Sequence, residues 1–353
     1  MTPVAKGSTV RLEIRKKMQN GILILGGFEG KGFPVDVTVS PSSIQIQCLE
    51  GCERICLPDE IKLVPSSCRY LQHIAGEGLH VRLQVQVNCN TEMISTLKEI
   101  LKVKKNYNFY CQSCGELIIQ EQLASLTHID QFCSICHIRA PGCSGNQGTA
   151  EPSISGGPIL QEKSKENAKV ICRRCKAILG ESVSSDSVKY YFTEVLIQPS
   201  CQDFSVIPRA QFVESVIVQL LMEFSASRST FRFCIQGQDG KHFLLLWLLN
   251  VDTLMVESIT QSGYEKNEFY SDISSLSLTS VEAKNVARVL YSSCTNSKNK
   301  ELLDKWMNDT GAQALVFPNS TCLELALLLT LNNASLTPSL RFMNNWKVAY
   351  LKI

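Results

Sequence analysis

The sequence predicts an α+β protein in which an antiparallel β-rich N-terminal region precedes a mixed α+β C-terminal region. Three observations support this class. Apolar and polar residues alternate through the first hundred residues, helical spacing of apolar residues appears only in the second half, and cysteine pairs lie between the two. With 353 residues, the chain exceeds the size at which one core usually keeps growing, about 250–300 residues. We therefore expect more than one domain.

The N-terminal region, residues 1–105, has the pattern of several short strands. In "LHVRLQVQV", Leu79–Val87, every second residue is apolar, and "VDVTVS" and "IQIQC" follow the same rule. Such alternation is typical of strands with one buried and one solvated face. "GILILGG" and "ERICLP" are shorter apolar runs bounded by Gly or Pro, so they are strand candidates as well. A small sandwich or open barrel is expected here.

Three Cys-x-x-Cys pairs follow: Cys111/Cys114, Cys133/Cys136 and Cys172/Cys175. Two residues between two cysteines allow a tight turn to point both sulfurs at one site. A tetrahedral zinc ion held by four thiolates needs two such turns facing each other. Sites of this closed type are structural and leave no open position for catalysis.

The spacing and the flanking residues favour different pairings. On spacing alone, Cys133/Cys136 is the natural partner of the first pair. The flanks "FYCQSCGELII" and "VICRRCKAILG" are built alike, with an apolar strand leading out of each turn. We predict a structural zinc ion in a ribbon-like module over residues 106–182, with 116–168 as a flexible insertion. Replacement of one pair by Cys133/Cys136 stays the alternative. The predicted ligands are Cys111, Cys114, Cys172 and Cys175.

The C-terminal region, residues 183–353, mixes strands and helices. "KYYFTEVLIQ", "STFRFCIQ" and "KHFLLLWLLN" predict strands. "FVESVIVQLLMEFS" has apolar residues at helical spacing, and Pro208 precedes it as a start signal. We expect further helices over "SVEAKNVARVLYSS" and "CLELALLLTLNN".

Composition excludes several classes of function. A net charge of +2 gives no electrostatic attraction for direct nucleic-acid or membrane-surface binding. The apolar runs are far shorter than a membrane span, so no membrane partner is expected. The first residues lack the apolar core of a secretory signal. We expect a cytoplasmic protein, with the nucleus as a second location.

Cys322 lies in "VFPNSTCLELALLL", at the mouth of an apolar run. Pro318 fixes an extended approach to this run. A thiol at a loop–helix junction can be exposed, and the helix N-terminus favours its thiolate. The other interpretation is a buried cysteine in the first turn of a core helix. Spacing alone favours the buried cysteine.

A family resemblance changes this balance. "FPNSTCLEL" resembles the catalytic loop of HECT-type ubiquitin ligases, and Tyr350 stands at the position of a functionally important Phe in that family. Residues 317–353 resemble the HECT-like C-terminal tail. Over nearly the whole chain the sequence resembles the HECT-like ubiquitin-conjugating-enzyme-binding proteins. The shared segments are "LVPSSC", "FYCQSCGE", "ICRRCK", "RSTFRF", "IQGQDGK", "LLWLLN" and "TCLEL".

The resemblance implies a ubiquitin-protein ligase in which Cys322 accepts ubiquitin as a thioester from a conjugating enzyme and transfers it to substrate lysines. Thr321 and Tyr350 complete the implied catalytic set. The resemblance also implies that a segment of about 199–221 contacts the conjugating enzyme. Protein substrates such as cyclin-type regulators would then be directed to the proteasome. A non-catalytic adaptor that docks the conjugating enzyme is the alternative.

A second implied partner is the nuclease of pre-mRNA 3′-end processing. Between Gly115 and Lys169 the family usually carries a Trp-Cys-Cys-His-Pro segment that resembles a plug for metallo-nuclease active sites. This chain has "QFCSICHIRAPGCSG" in that interval instead. The motif itself is absent, so inhibition of the nuclease is kept only as an alternative function.

Overall fold

The computed structural model describes residues 9–26, 36–48, 51–88, 106–122, 134–138, 169–182, 187–200, 206–258, 276–279, 281–294, 300–309 and 311–353. Within these ranges 21 strands occur with three α-helices. The predicted α+β class is therefore wrong, because the described fold is mostly antiparallel β and its C-terminal part is not a helix-rich HECT-like lobe.

The first twelve strands lie in the N-terminal region and in the cysteine-rich module. They are β1 (Thr9–Arg15), β2 (Asn20–Gly26), β3 (Asp36–Ser40), β4 (Ser43–Cys48), β5 (Gly51–Cys56), β6 (Ile61–Ile74), β7 (Gly78–Val87), β8 (Asn106–Cys111), β9 (Leu117–Gln122), β10 (Ser134–Ile138), β11 (Lys169–Ile171) and β12 (Ile178–Ser182).

The remaining strands and the helices follow. The strands are β13 (Ser187–Tyr191), β14 (Val195–Pro199), β15 (Arg232–Gly237), β16 (His242–Ser258), β17 (Leu276–Thr279), β18 (Val281–Ser293), β19 (Ala312–Phe317), β20 (Phe342–Met343) and β21 (Trp346–Lys352). The helices are α1 (Arg209–Arg228), α2 (Lys300–Met307) and α3 (Asn319–Ser335), and a 3₁₀ turn follows at Pro338–Leu340.

One ten-stranded sheet joins the two ends of the chain. Its order is β20-β21-β18-β16-β1-β2-β7-β6, and β15 pairs with both β16 and β19. The junction is the antiparallel pairing of β1 with β16, in which Leu12 lies opposite Val256. Strands from residues 1–105 and 183–353 therefore share one hydrogen-bonded sheet. The division of the chain at these boundaries stays a prediction.

Most strand predictions for the N-terminal region are confirmed. Alternate residues of β7 such as Val81, Leu83 and Val85 are buried, and they pack with β1, β2, β4 and β5 in one apolar core. In a second core, α1 and α3 pack against strands of the C-terminal region and of the cysteine-rich module. No helix in the described ranges is long and apolar enough to span a membrane.

The predicted helix over "SVEAKNVARVLYSS" is wrong, because residues 281–293 form strand β18. This strand is buried on both faces in its second half. Val289 packs in the core that contains α1 and α3, whereas Leu290 packs with Tyr350 on the opposite side. A strand that is covered on both faces loses the two-residue period from which a strand is identified.

The segment "KYYFTEVLIQ" contains two strands where one was predicted. Strand β13 ends at Tyr191, a turn covers Phe192–Glu194, and β14 then pairs with β8. The Glu194 N–H donates to the Tyr191 carbonyl at 3.0 Å and closes this turn. The helices predicted at "FVESVIVQLLMEFS" and "CLELALLLTLNN" are confirmed, and Pro208 and Pro318 precede their first residues.

Candidate functional site

Two matched turns carry the first and third cysteine pairs. In the first, the Gly115 N–H donates to the Cys111 carbonyl at 2.8 Å, and in the second the Lys176 N–H donates to the Cys172 carbonyl at 3.0 Å. Gly115 has φ 73° and Lys176 has φ 63°. A lysine in the left-handed region is uncommon, so the second turn is held in this shape despite its side chain.

The four thiols of these turns converge. All four sulfur atoms lie within 4.8 Å of one another, and the Sγ atoms of Cys111 and Cys175 and those of Cys114 and Cys172 are each 3.6 Å apart. Zinc–sulfur bonds of about 2.3 Å in a tetrahedron place neighbouring sulfurs about 3.8 Å apart. The geometry and the donor set therefore fit a tetrahedral, thiolate-binding metal ion.

The environments of these thiols differ. Burial raises the pKa of Cys111 and of Cys114. Burial also acts on Cys175, but the Ala177 N–H and the three neighbouring thiols outweigh it and lower the pKa of Cys175 to about 7. The cluster thus favours a thiolate at its exposed corner.

The structure brings together the pairs that the flanking residues indicated. Cys133, the linker of residues 141–158 and most of the insertion over residues 116–168 lie outside the described residues. Of the alternative pair, Cys136 lies in β10, and only its backbone is described. The nuclease-blocking role predicted for this interval accordingly stays a prediction.

Cys322 lies in the first turn of α3. This placement agrees with one of the two interpretations of the sequence, a buried cysteine in the first turn of a core helix. The helix begins at Asn319, and the Cys322 N–H donates to the Pro318 carbonyl at 3.0 Å. The residue has no solvent-exposed surface. Its sulfur lies 3.5 Å from the Gln236 carbonyl oxygen, at the end of β15.

The short turn that follows β15 is bonded to the first residue of α3. Asp239 in the turn accepts a hydrogen bond from the Asn319 side-chain amide at 2.8 Å. A Cβ atom at Gly237 would lie 2.0 Å from Asn319 Oδ1 and 2.7 Å from Asp239 Oδ1, so a larger residue there would displace both side chains. Because Cys322 has no exposed surface, a bulky thioester reaches its sulfur only if neighbouring segments move.

Tyr350 lies in a different cluster from Cys322. Its ring packs with Met255, Leu290 and Leu336, and its hydroxyl donates to Glu13 Oε2 at 2.6 Å. Burial, together with the Glu13 carboxylate, raises the pKa of Tyr350 well above its ordinary range. The hydroxyl is thus held protonated against β1.

Arg209, in the first turn of α1, connects Thr321 to the cysteine module. Its guanidinium donates to Thr321 Oγ1 and to Glu194 Oε1, both at 2.9 Å. It also donates to Oε1 of Gln112 at 3.3 Å, and Gln112 lies between the paired cysteines of the first turn. The guanidinium also donates to the Thr193 carbonyl and to Glu324 at 2.9 Å. One side chain therefore holds both cysteine-bearing elements.

Sequence reasoning did not identify Arg209 or Glu194. The position of Arg209 at the start of a predicted helix was one available signal. A cation in the first turn of a helix interacts unfavourably with the helix dipole, so a carboxylate partner is expected nearby. The partners are Glu194, which is buried, and Glu324, which is one turn into α3. No local pattern indicates which carboxylates these are.

An apolar stripe lies on the exposed side of α3. Leu323, Leu327 and Leu331 are each about 60% exposed. They are spaced four residues apart, so they lie on one face of the helix. Val206, just before α1, is 80% exposed, and the Arg209–Glu324 ion pair joins the N-terminal ends of the two helices.

Comparison with known proteins gives a family and several relatives. The chain matches the family described as HECT-like Ubiquitin-conjugating enzyme (E2)-binding over residues 13–128 and 133–348. It is 42% identical over 371 residues to a Mus musculus protein named as an E3 ubiquitin-protein ligase, and 40% identical over 396 residues to the Homo sapiens protein of the same name. Each alignment covers 100% of both chains. No solved structure matches the chain.

We expect Arg209→Ala to lower the free energy of unfolding by about 3 kcal/mol, because it leaves the Glu194 carboxylate buried without its cation. Urea denaturation of the full chain measures this change. Arg228→Ala, at the exposed C-terminal end of the same helix, is the matched control and should change stability little. Equal losses in the two variants would contradict the central role of Arg209.

Proposed function

The chain belongs to the family of HECT-like ubiquitin-conjugating-enzyme-binding proteins, and from this membership we propose that it is a ubiquitin-protein ligase. The observation that carries the proposal is similarity over the full length of relatives named E3 ubiquitin-protein ligase. The co-substrate is a conjugating enzyme charged with ubiquitin, and the acceptors are lysines of protein substrates.

The conjugating enzyme docks on the exposed stripe of α3 and on the segment before α1. Within the segment of about 199–221, Phe212 and Val216 are buried, so they do not provide a free contact surface. Val206 remains exposed in this segment, and the leucine stripe Leu323/Leu327/Leu331 lies on the neighbouring helix. Exposed apolar stripes of this kind are typical protein contact sites. The stripe begins one residue after Cys322, so docking there brings the ubiquitin thioester close to this helix.

The proposed relay exchanges one thioester for another and then forms an amide. The Cys322 thiolate attacks the C-terminal carbonyl of ubiquitin, the carbon–sulfur bond to the conjugating enzyme breaks, and the released thiolate of the conjugating enzyme takes up the proton that Cys322 has lost. The amine of a substrate lysine then attacks the same carbonyl. An isopeptide bond forms, the carbon–sulfur bond to Cys322 breaks, and the proton lost by the amine returns to the Cys322 thiolate. The first step requires the buried Cys322 sulfur to become accessible, and we propose that the Gly237–Gly240 turn, which is bonded to Asn319, is the segment that moves.

The burial of Cys322 favours a second candidate function. With Cys322 fully buried, the protein would act as an adaptor that holds the charged conjugating enzyme beside a substrate. Ubiquitin then passes directly from the conjugating enzyme to the lysine. The two candidate functions use the same docking surface. They differ in that only the relay forms a thioester between ubiquitin and Cys322.

The four-cysteine cluster is proposed to hold a structural zinc ion. Cys111, Cys114, Cys172 and Cys175 are the ligands, and a bound zinc ion would cross-link two hairpins that are distant in sequence. No position remains for substrate, so the metal has no part in the transfer reaction.

We expect the purified protein to contain about one zinc ion per chain. Cys172→Ser should lose most of the metal and unfold at a lower temperature, because three thiolates bind zinc more weakly than four. Elemental analysis and thermal denaturation measure the two effects. Cys56→Ser, at an exposed thiol outside the cluster, is the control. Full metal content and unchanged stability in Cys172→Ser would refute this ligand set.

We expect Leu327→Asp to raise the dissociation constant for a conjugating enzyme about tenfold or more, since a carboxylate replaces an apolar contact at the centre of the stripe. Leu71→Asp changes a leucine of similar exposure, 69%, on β6 and should leave the constant unchanged. Titration calorimetry with the isolated conjugating enzyme measures both. If the Leu327 variant binds normally, docking lies elsewhere.

The relay is tested by mixing charged conjugating enzyme with the wild-type protein and with Cys322→Ser. An adduct of the protein with ubiquitin that a reductant cleaves is expected in the wild type and should be lost in the variant. Asp239→Ala releases the turn from Asn319 and should speed adduct formation. Ubiquitination that continues in Cys322→Ser, without any adduct in the wild type, supports the adaptor instead.

A further inference from the structure

A pocket of about 560 Å³ lies on the large sheet beside Glu13, and its lining includes neither Cys322 nor a residue of the four-cysteine cluster. Strands β1, β2, β6 and β7 form it. Three of its lining residues are arginines, and the neutral polar side chains beside them can donate hydrogen bonds as well. Such a wall is rich in hydrogen-bond donors and positive charge. These polar lining residues include Arg15, Asn20, Ser66, Arg69, Arg82 and Gln84.

Two of the arginines occupy an unfavourable arrangement. Arg69 of β6 and Arg82 of β7 are directly opposite each other in the strand register. The Cβ atoms of two directly opposite residues are about 5 Å apart, so two like charges in these positions destabilise the pairing of the strands. Among the described residues, no carboxylate forms an ion pair with either of them.

The backbone beside these arginines departs from regular pairing. The β6–β7 register shifts between Val64 and Arg69, so the intervening "PSSC" segment leaves the ladder. Ser67 fixes this bulge, because its hydroxyl donates to the Val64 carbonyl at 2.6 Å and accepts the Gln84 N–H at 2.7 Å. The bulge therefore makes room for the pocket at a defined place. It also lies within "LVPSSC", a motif that the ligase function does not use.

Tyr70 adds a second irregular feature. Its φ of 54° lies in the left-handed region, which is uncommon for a bulky residue. The Arg82 guanidinium lies 5.6 Å from the centre of the Tyr70 ring, an arrangement that orients the guanidinium by a cation–π contact. The tyrosine thus holds Arg82 in place at the rim of the pocket.

The one acidic residue of the pocket is already engaged. Glu13 accepts the Tyr350 hydroxyl and lies 3.5 Å from Arg288. Arg15 is 3.9 Å from it, which is a loose contact. The remaining positive charge of Arg69 and Arg82 is available to a ligand.

We propose that this pocket binds the phosphate group of a phosphorylated peptide segment. Arginine guanidinium groups match phosphate oxygens with two parallel hydrogen bonds, and a doubly charged anion offsets the Arg69–Arg82 repulsion. A phosphate ion alone fills only a small part of about 560 Å³. In the described part of the chain β6 is the last strand of its sheet, and Tyr70 and Leu71 are 75% and 69% exposed on it. An extended segment can lie along this edge.

The test is calorimetric binding to the full chain, without ubiquitin or a conjugating enzyme, so that its outcome is independent of the ligase activity. The probes are inorganic phosphate and a neutral pentapeptide, Gly-Val-Ser-Val-Gly with blocked ends, with and without a phosphate on its serine. We expect binding of the phosphorylated peptide to be at least about tenfold tighter than that of the other two probes.

The double variant Arg69→Gln/Arg82→Gln should weaken binding of the phosphopeptide about tenfold or more. Arg54→Gln, at an exposed arginine of β5, is the matched control and should bind as the wild type does. Thermal denaturation without phosphate should show that the double variant is folded, because both arginines are exposed.

Unchanged binding in the double variant would overturn the proposal, and so would an equal loss in Arg54→Gln. If inorganic phosphate binds as tightly as the phosphopeptide, the pocket is a site for a free anion and the peptide ligand is refuted.

Discussion

The guanidinium of Arg209 is the contact on which the arrangement of the C-terminal half depends. It joins the first cysteine turn through Gln112, the turn after β13 through Glu194, and the first turn of α3 through Thr321. Glu194 and Thr321 are buried, so their polar atoms need partners inside the protein. Thr321 satisfies this need by donating to Glu194 at 2.5 Å. Arg209 supplies the compensating charge for the whole group.

This contact relates the metal-binding module to the helix that carries Cys322. Gln112 lies between two of the converging thiols, and Thr321 precedes Cys322 directly. Two hydrogen bonds of one side chain thus connect the first cysteine turn to the first turn of α3. The cysteine module therefore supports the position of α3 as well as its own hairpins.

The sequence predicted local structure better than long-range pairing. The two-residue period of β7, the helical spacing of α1 and the matching flanks of Cys111/Cys114 and Cys172/Cys175 are local signals, and the structure confirms the elements that they indicate. Strand β18 was missed because neighbours cover both of its faces, which removes the alternation.

Contacts between distant residues left no such signal. Arg209 meets Thr321 across 112 positions of sequence, and the Tyr350 hydroxyl meets Glu13 across 337. Side chains of these types occur throughout the chain, so nothing local distinguishes the paired ones. The sequence leaves two alternatives for Cys322 for the same reason, since the Gln236 carbonyl that its sulfur contacts lies on β15, far earlier in the chain.

The place of β1 in the large sheet has a consequence for synthesis of the protein. This strand lies between β2, which follows it closely, and β16, which ends at residue 258. While the ribosome makes the intervening residues, one edge of β1 stays without its partner, and open edges of this kind promote association between chains. Sheets closed by such distant segments also form slowly. The edge of β1 in a newly made chain is therefore open to such association until β16 has emerged from the ribosome.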